Sequence, residues 1–198
     1  MFTGIIECLG IVTDIVINGS NKTFWVESDI SAELNIDESL SHDGVCLTIE
    51  EIKGNTHKVT AIKETLGKTN LDDWNVGNII NLERPMQIHG RIDGHIVQGH
   101  VDTTAICIDK KILNGSTEFT FTFKKKFASL LIEKGSVCVN GISLTAFNVR
   151  KKKFMVAIIP YTLQHTNLSS VEEGSKVNIE FDMLGKYVTR IASLKNIS

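Results

Sequence analysis

The segment GVCLT at positions 44–48 returns as GISLT at positions 141–145, 97 residues later in a chain of 198. A fixed-period echo constrains a fold more than any local pattern does, because each copy has to close as a unit of the same kind. Held at that offset, the pairing runs without a gap from position 44 to 83 and gives thirteen identities in forty positions, among them Gly44/Gly141, Leu47/Leu144, Thr48/Thr145, Val59/Val156, Thr65/Thr162, Leu66/Leu163, Asn70/Asn167 and Glu83/Glu180. A small shift also aligns the heads of the copies, FTGIIECLG from Phe2 with VQGHVDTTA from Val97, so that Gly4 faces Gly99 and Ile5 faces His100. The chain is therefore two copies of one unit of roughly 90 to 100 residues, an ordinary size for a small domain. We place them at residues 1–96 and 97–183, with a separate segment at 184–198.

Within each copy, short runs such as GIVTDIVI, TFWVES, HKVTAI, TEFTFTF, FMVAII and KVNIEF alternate apolar with polar residues or are rich in β-branched ones. Gly and Asn clusters separate them, which is the pattern of an all-β domain. About six strands per copy, closed into a small antiparallel barrel, hide the sheet edges most economically. ISAELNI, KTNLDDW and KKFASLLIEKG read as helical turns between strands. From Met183 the pattern changes, and Leu184, Tyr187 or Val188, Ile191 and Leu194 recur at helical spacing as one apolar stripe. That helix either docks on its own barrel or packs against another subunit, and the sequence favours the second because no third unit exists to cover it.

A formal charge of −2 supplies no basic footprint for nucleic acid, so the lysine triplets at 124–126 and 151–153 read as solvated turns. No run of eighteen apolar residues is present for a membrane span, and MFTGIIE lacks the form of a signal peptide, so the expected location is cytoplasmic. Cys8, Cys46, Cys107 and Cys138 lack the paired short spacings of zinc or redox sites; they are expected as reduced thiols, with no metal.

In a strand, side chains alternate faces. Cys46 and Thr48 then share one face while Leu47 takes the core, and Ser143 and Thr145 do the same around Leu144. The glycine opening each pentad lets a flat ligand or another backbone approach closely. A second repeated motif, T-L-x-x-T-N-L, follows at Thr65 and Thr162, and capping of a strand-to-helix turn accounts for part of it. The junction GRIDGHIVQGHVD carries His95 and His100. If it were extended, the two imidazoles would point to opposite faces, which argues against a shared metal and leaves His95 a structural role. His100 stands where the first copy has Ile5, Ser143 where it has Cys46, and Pro160 where it has Lys63, so the copies bind similar things and treat them differently.

Taken together, MFTGIIE, GVCLT, KETL, GHIVQGHVD, GISLT, IIP and VNIEFDMLGKYV resemble, in order and spacing, the signature segments of the riboflavin synthase family, the two-repeat lumazine-binding proteins. The resemblance implies two six-stranded Greek-key barrels, a C-terminal helix that assembles a homotrimer, and, without cofactor or metal, a dismutation of two molecules of 6,7-dimethyl-8-ribityllumazine. One molecule gives up a four-carbon fragment and the other receives it, yielding riboflavin and 5-amino-6-(ribitylamino)uracil. It also allows association with lumazine synthase. It carries substrate binding to Gly4, Ile5, Ile6, Cys46, Leu47, Thr48, Thr60, Ala61, Ile62, Lys63, Glu64 and Thr65 in an N-terminal pocket. In a C-terminal pocket the matching positions are Gly99, His100, Val101, Ser143, Leu144, Thr145, Ile158, Ile159, Pro160, Tyr161, Thr162 and Leu163, with Lys134 reaching a neighbouring subunit's ligand. His100, Ser143, Thr145, Cys46 and Thr48 are the residues expected to act in catalysis, His100 as the proton acceptor. The chain departs from the family pattern at Asp93 and Gln98, and Tyr161 stands where the first copy has Glu64.

The leading rival is a binding-only carrier of lumazine or flavin, which needs one working pocket, whereas both copies here keep their polar segments. A flavin reductase would need a following α/β nucleotide domain.

Overall fold

In the computed structural model, which describes residues 1–195, the alternating runs form two antiparallel sheets of seven strands each. The first holds β1 (Cys8–Asn18), β2 (Asn21–Glu27), β3 (Ser39–His42), β4 (Val45–Thr48), β5 (Glu51–Lys53), β6 (Thr56–Ala61) and β7 (Ile79–Glu83). The second holds β8 (Thr103–Leu113), β9 (Ser116–Thr122), β10 (Ser136–Val139), β11 (Ile142–Thr145), β12 (Phe147–Arg150), β13 (Lys153–Ile158) and β14 (Lys176–Phe181). The strand orders are β4-β3-β7-β1-β2-β6-β5 and β11-β10-β14-β8-β9-β13-β12, the same topology twice.

The extra strand in each unit, seven against the six read from the sequence, comes from a corner. β4 pairs with β3 at one edge of the first sheet and β5 pairs with β6 at the other, yet only Ile49 and Glu50 separate β4 from β5. At the corner the Ile49 amide donates to Glu38 O (2.8 Å) and the Glu50 amide to Lys58 O (2.9 Å), so one bent run of chain joins both edges into a barrel. Ala146 turns the same corner in the second unit, its amide donating to Gly135 O at 2.9 Å. Ile49 and Ala146 are fully buried, so the side chain at each corner helps hold it by apolar burial.

Each barrel has its own core. The first is built on Phe24, Leu40, Leu71, Ile80 and Leu82, and the second on Phe119, Phe121, Phe154 and Phe181. The expected helical turns at 30–36, 68–74 and 125–135 are present as single 3₁₀ segments, Ser31–Glu33, Leu71–Asp73 and Lys125–Leu130. Two short α-helices begin earlier than the turn reading placed them, α1 (Lys63–Lys68) and α2 (Pro160–Gln164). Thr69 and Thr166 close these helices by donating to the carbonyls of Thr65 (2.8 Å) and Thr162 (2.7 Å), so the repeated threonines do cap, at the C-terminal end.

The asparagines that follow them do something else. With Asn81, Asn140, Asn178 and Asp43, Asn70 and Asn167 form a buried clasp between the two halves. The Asn167 amide donates to Asn81 Oδ1 and the Asn70 amide to Asn178 Oδ1, both at 2.7 Å; Asn81 Nδ2 reaches Asn140 O (2.8 Å) and Asn178 Nδ2 reaches Asp43 O (2.9 Å). The bonds come in pairs related by a two-fold exchange of the copies. Gly44 (φ +79°) and Gly141 (φ +82°) sit back to back beside it, and a Cβ on Gly44 would lie 2.8 Å from Gly141 N. The pentad glycines therefore admit another backbone.

The C-terminal helix, α3 (Met183–Lys195), carries the expected stripe, with Leu184, Tyr187, Val188, Ile191 and Leu194 all exposed. Lys186 anchors its first turn to Asp102 at 2.7 Å. Residues 196–198 of the separate C-terminal segment lie outside the described residues.

Candidate functional site

The two pentad strands face outward as the alternation requires: Leu47 is buried, Cys46 half-buried and Thr48 exposed, while Leu144 packs on the second core and Thr145 is exposed. The partners of these strands are crossed. Phe2 and Val97 pair reciprocally, Phe2 N to Val97 O at 2.7 Å and Val97 N to Phe2 O at 3.0 Å, which lays the head of each copy alongside the other. Each head then crosses to the opposite barrel. The Ser143 amide donates to Gly4 O (2.8 Å) and the Cys46 amide donates to Gly99 O (2.9 Å). Ile6 packs on the second core and Val101 on the first.

This corrects the assignment of Gly4, Ile5 and Ile6 to the N-terminal pocket and of Gly99, His100 and Val101 to the C-terminal one. Alignment of the copies matches positions within a unit and carries no information about which barrel a head docks on. Two buried carboxylates hold the exchange in place. Glu83 accepts from the Thr3 amide (2.6 Å), the Thr3 hydroxyl (2.7 Å) and the Gly4 amide (3.0 Å), and Glu180 accepts from the amides of Gln98 (2.7 Å) and His100 (2.8 Å). Burial pushes both carboxyls up in pKa, and the donated hydrogen bonds oppose it. Their identity in the repeat was visible in the sequence; their role as acceptors for the heads was not.

Cys46, Glu64, Thr65, Lys68, Gly99 and His100 line one cleft of about 300 Å³ on the first barrel. Lys68, ion-paired with Glu64 one helical turn away, was missed as a lining residue. Thr60 is tied to Thr23 (Oγ1 to Oγ1, 2.9 Å), Ala61 points into the core, and Ile62 and Lys63 are exposed at the start of α1. On the second barrel Ser143 Oγ meets His95 Nδ1 at 2.7 Å. The segment holding His95 and His100 forms no strand beyond the single bridge at Val97, so the face-alternation argument fails there. His95 is half-buried against Ser143, and His100 belongs to the Cys46 cleft, not to one with Ser143 and Thr145. Burial lowers the pKa of His95. An added Cβ on Gly94 would collide with Thr3 O and lie 2.8 Å from Ser143 Cβ, so the loop approaches both the first head and the pentad strand; the glycine before His95 was the one trace of this in the sequence.

The remaining expected residues surround α2. Ile158 is in the core, Ile159, Pro160 and Tyr161 are exposed, and Thr162 and Leu163 are half-buried. The Tyr161 ring stacks on His165 with centroids 4.1 Å apart, at the positions where the first copy has the Glu64–Lys68 pair. Lys134 is exposed, its ammonium 5.5 Å from the Phe147 ring centroid.

Chemically, each barrel offers a strand with outward polar side chains, a helix start at its edge, a borrowed head and one imidazole, which on the second barrel is bonded to Ser143. That defines a protein of two pseudo-symmetric binding barrels. Comparison with known proteins agrees: the lumazine binding domain family model matches residues 3–85 and again 98–182. The riboflavin synthase of Bacillus subtilis is 35% identical over 197 residues, covering 99% of this chain and 92% of that protein, and that of Actinobacillus pleuropneumoniae is 36% identical over 189 residues, covering 95% and 88%. Among solved structures, LumP complexed with riboflavin superposes with a TM-score of 0.86 at 21% identity over 92% of this chain and all of that one, a likeness of fold. The chain belongs to the riboflavin synthase family, transferases built on a duplicated lumazine-binding domain.

Proposed function

We propose that this chain makes riboflavin from two molecules of 6,7-dimethyl-8-ribityllumazine, one held in each type of cleft, and releases 5-amino-6-(ribitylamino)uracil. The observation that carries this reading is the reciprocal exchange of heads: both barrels are built to the same plan around a pentad strand, and each is completed by the other copy. A carrier needs only one such cleft. In a reaction between two identical molecules, two similar clefts can hold both rings in near-attack geometry, and well-oriented systems gain up to ~7–11 kcal/mol that way.

The C7 methyl of the lumazine is conjugated with an electron-poor ring, so its deprotonation gives a delocalised anion and asks for a moderate base. An imidazole titrates in the right range. His100, beside Cys46 and free of side-chain bonds among the described residues, is our candidate to take that proton. His95, bonded to Ser143, is a positioning residue for the hydroxyl of the other cleft. The exposed stripe of α3 supports assembly into a homotrimer, in which a cleft of one subunit would face the opposite kind of cleft on its neighbour.

The test is direct. Purified protein incubated with the lumazine under anaerobic conditions should form riboflavin and the pyrimidine in equal amounts. Tight binding with no riboflavin formed would establish a carrier instead.

A further inference from the structure

The outer faces of the two barrels differ at one matched place. On the first, Trp25 lies on β2 between Asp14 of β1 and Lys58 of β6, and its indole is covered by two ammonium groups, Lys53 at 4.3 Å and Lys58 at 5.9 Å from the ring centroid. On the second, the position between Asp109 of β8 and Met155 of β13 is Thr120, by the same register. No indole fills the space there. Instead the structure has a groove of about 450 Å³ lined by Ile108, Thr120, Asn148 and Met155, by the cations Lys111, Arg150 and Lys153, and by one carboxylate, Asp109. Arg150 is the repeat counterpart of Lys53, the cation that sits over Trp25.

We infer that this groove is a second binding site, for a small planar aromatic ligand carrying an anionic group such as a phosphate. The first barrel shows on the same scaffold that a fused aromatic ring fits here beneath a cation, an arrangement favoured by the ring's negative face. The second barrel keeps the cation and removes the ring. Its volume suits a small fused-ring ligand. Charge adds the anionic requirement: Lys111 is paired with Asp109 at 3.4 Å, but neither Arg150 nor Lys153 forms an ion pair with a carboxylate among the described residues, Glu133 acting on Arg150 only at longer range. A guanidinium is well shaped to take a phosphate through two parallel N–H bonds. The groove shares no residue with the Cys46 cleft, nor with the pentad strand or α2 of its own barrel.

The probe is 1-naphthyl phosphate, titrated into the full chain and followed by ¹H–¹⁵N amide shifts. Saturable shifts centred on Thr120, Arg150 and Met155 are expected, with inorganic phosphate and 1-naphthol each at least ~10-fold weaker. Thr120→Trp should abolish binding by filling the groove as Trp25 fills its counterpart, and Arg150→Glu, at an exposed position, should weaken it by at least ~10-fold. Unchanged binding in Thr120→Trp or Arg150→Glu, or shifts confined to the surroundings of Cys46 and Ser143, would overturn the proposal. So would an acidic tryptophan-containing peptide that binds the groove where naphthyl phosphate does not, which would make it a protein-docking site.

Discussion

Acid should loosen the first barrel through a pair of histidines in its core. His42 and His57 are fully buried with their Nε2 atoms 2.9 Å apart. Their protons can be placed by elimination. His42 Nδ1 lies 3.1 Å from Leu40 O, and a carbonyl only accepts, so that nitrogen carries the proton and His42 Nε2 accepts from His57 Nε2. His57 Nδ1 then accepts from Ser31 Oγ (2.7 Å), which in turn lies 2.7 Å from Ser28 Oγ. A further proton on His42 would set two Nε2–H donors against each other, while one on His57 Nδ1 would force the Ser31 hydroxyl to turn from donor to acceptor. Burial lowers the pKa of both, His42 strongly and His57 to about 4. The unfolded chain binds protons at its histidines near pH 6.5 while the folded barrel does not, so stability is lost as pH falls below about 6.5. For His57 alone the loss between pH 7 and 5 is about 2 kcal/mol, and His42 adds to it.

The second copy solves the same positions with Val139 and Phe154. His42→Val combined with His57→Phe should therefore remove the sensitivity, while His57→Phe alone strands His42 Nε2 without a donor, at a cost of about 1–3 kcal/mol. The assay is urea unfolding followed by tryptophan fluorescence, since Trp25 and Trp74, the chain's two tryptophans, both lie in the first barrel. Buried carboxyls such as Asp43 titrate in the opposite sense, so the quantity to read is the difference between variant and parent. That difference should move by about 2 kcal/mol or more in the variant's favour from pH 7 to 5. A difference that stays constant over that range would refute the proton placement.

Burial raises Asp43 to a pKa of about 7, above its unfolded value, so it favours the folded state most below about pH 4 and loses that advantage as pH rises through 7. Asp43→Asn, the residue the second copy uses at Asn140, should stabilise the clasp at pH 8 and change little at pH 4 by calorimetry. His100→Gln should lower kcat by at least ~10-fold with a smaller change in lumazine binding, whereas His95→Gln should weaken binding more than turnover; the reverse pattern would exchange the two roles. Leu184→Glu with Ile191→Glu should yield smaller species in sedimentation with intact barrels and little activity. An active monomer would rule out a site shared between subunits.

The duplication, the all-β class, the inward Leu47 and outward Cys46 and Thr48, and the apolar stripe of the last helix were all legible in the sequence. Each rests on a local period of two, of 3.6, or of the repeat itself, and such periods are properties of neighbouring residues. The seventh strand was hidden because the corner at Ile49 and Glu50 bends one run of residues, VCLTIEEI, with no glycine or proline to mark the turn. The exchanged heads, the amide clasp around Asn81 and Asn178, and the pairing of His95 with Ser143 were decided only in three dimensions. A repeat states which residues are equivalent. It does not state whether an equivalent pair meets its own copy or the other one, because that depends on the Phe2–Val97 pairing and the Gly44–Gly141 contact, both made between residues nearly one hundred positions apart.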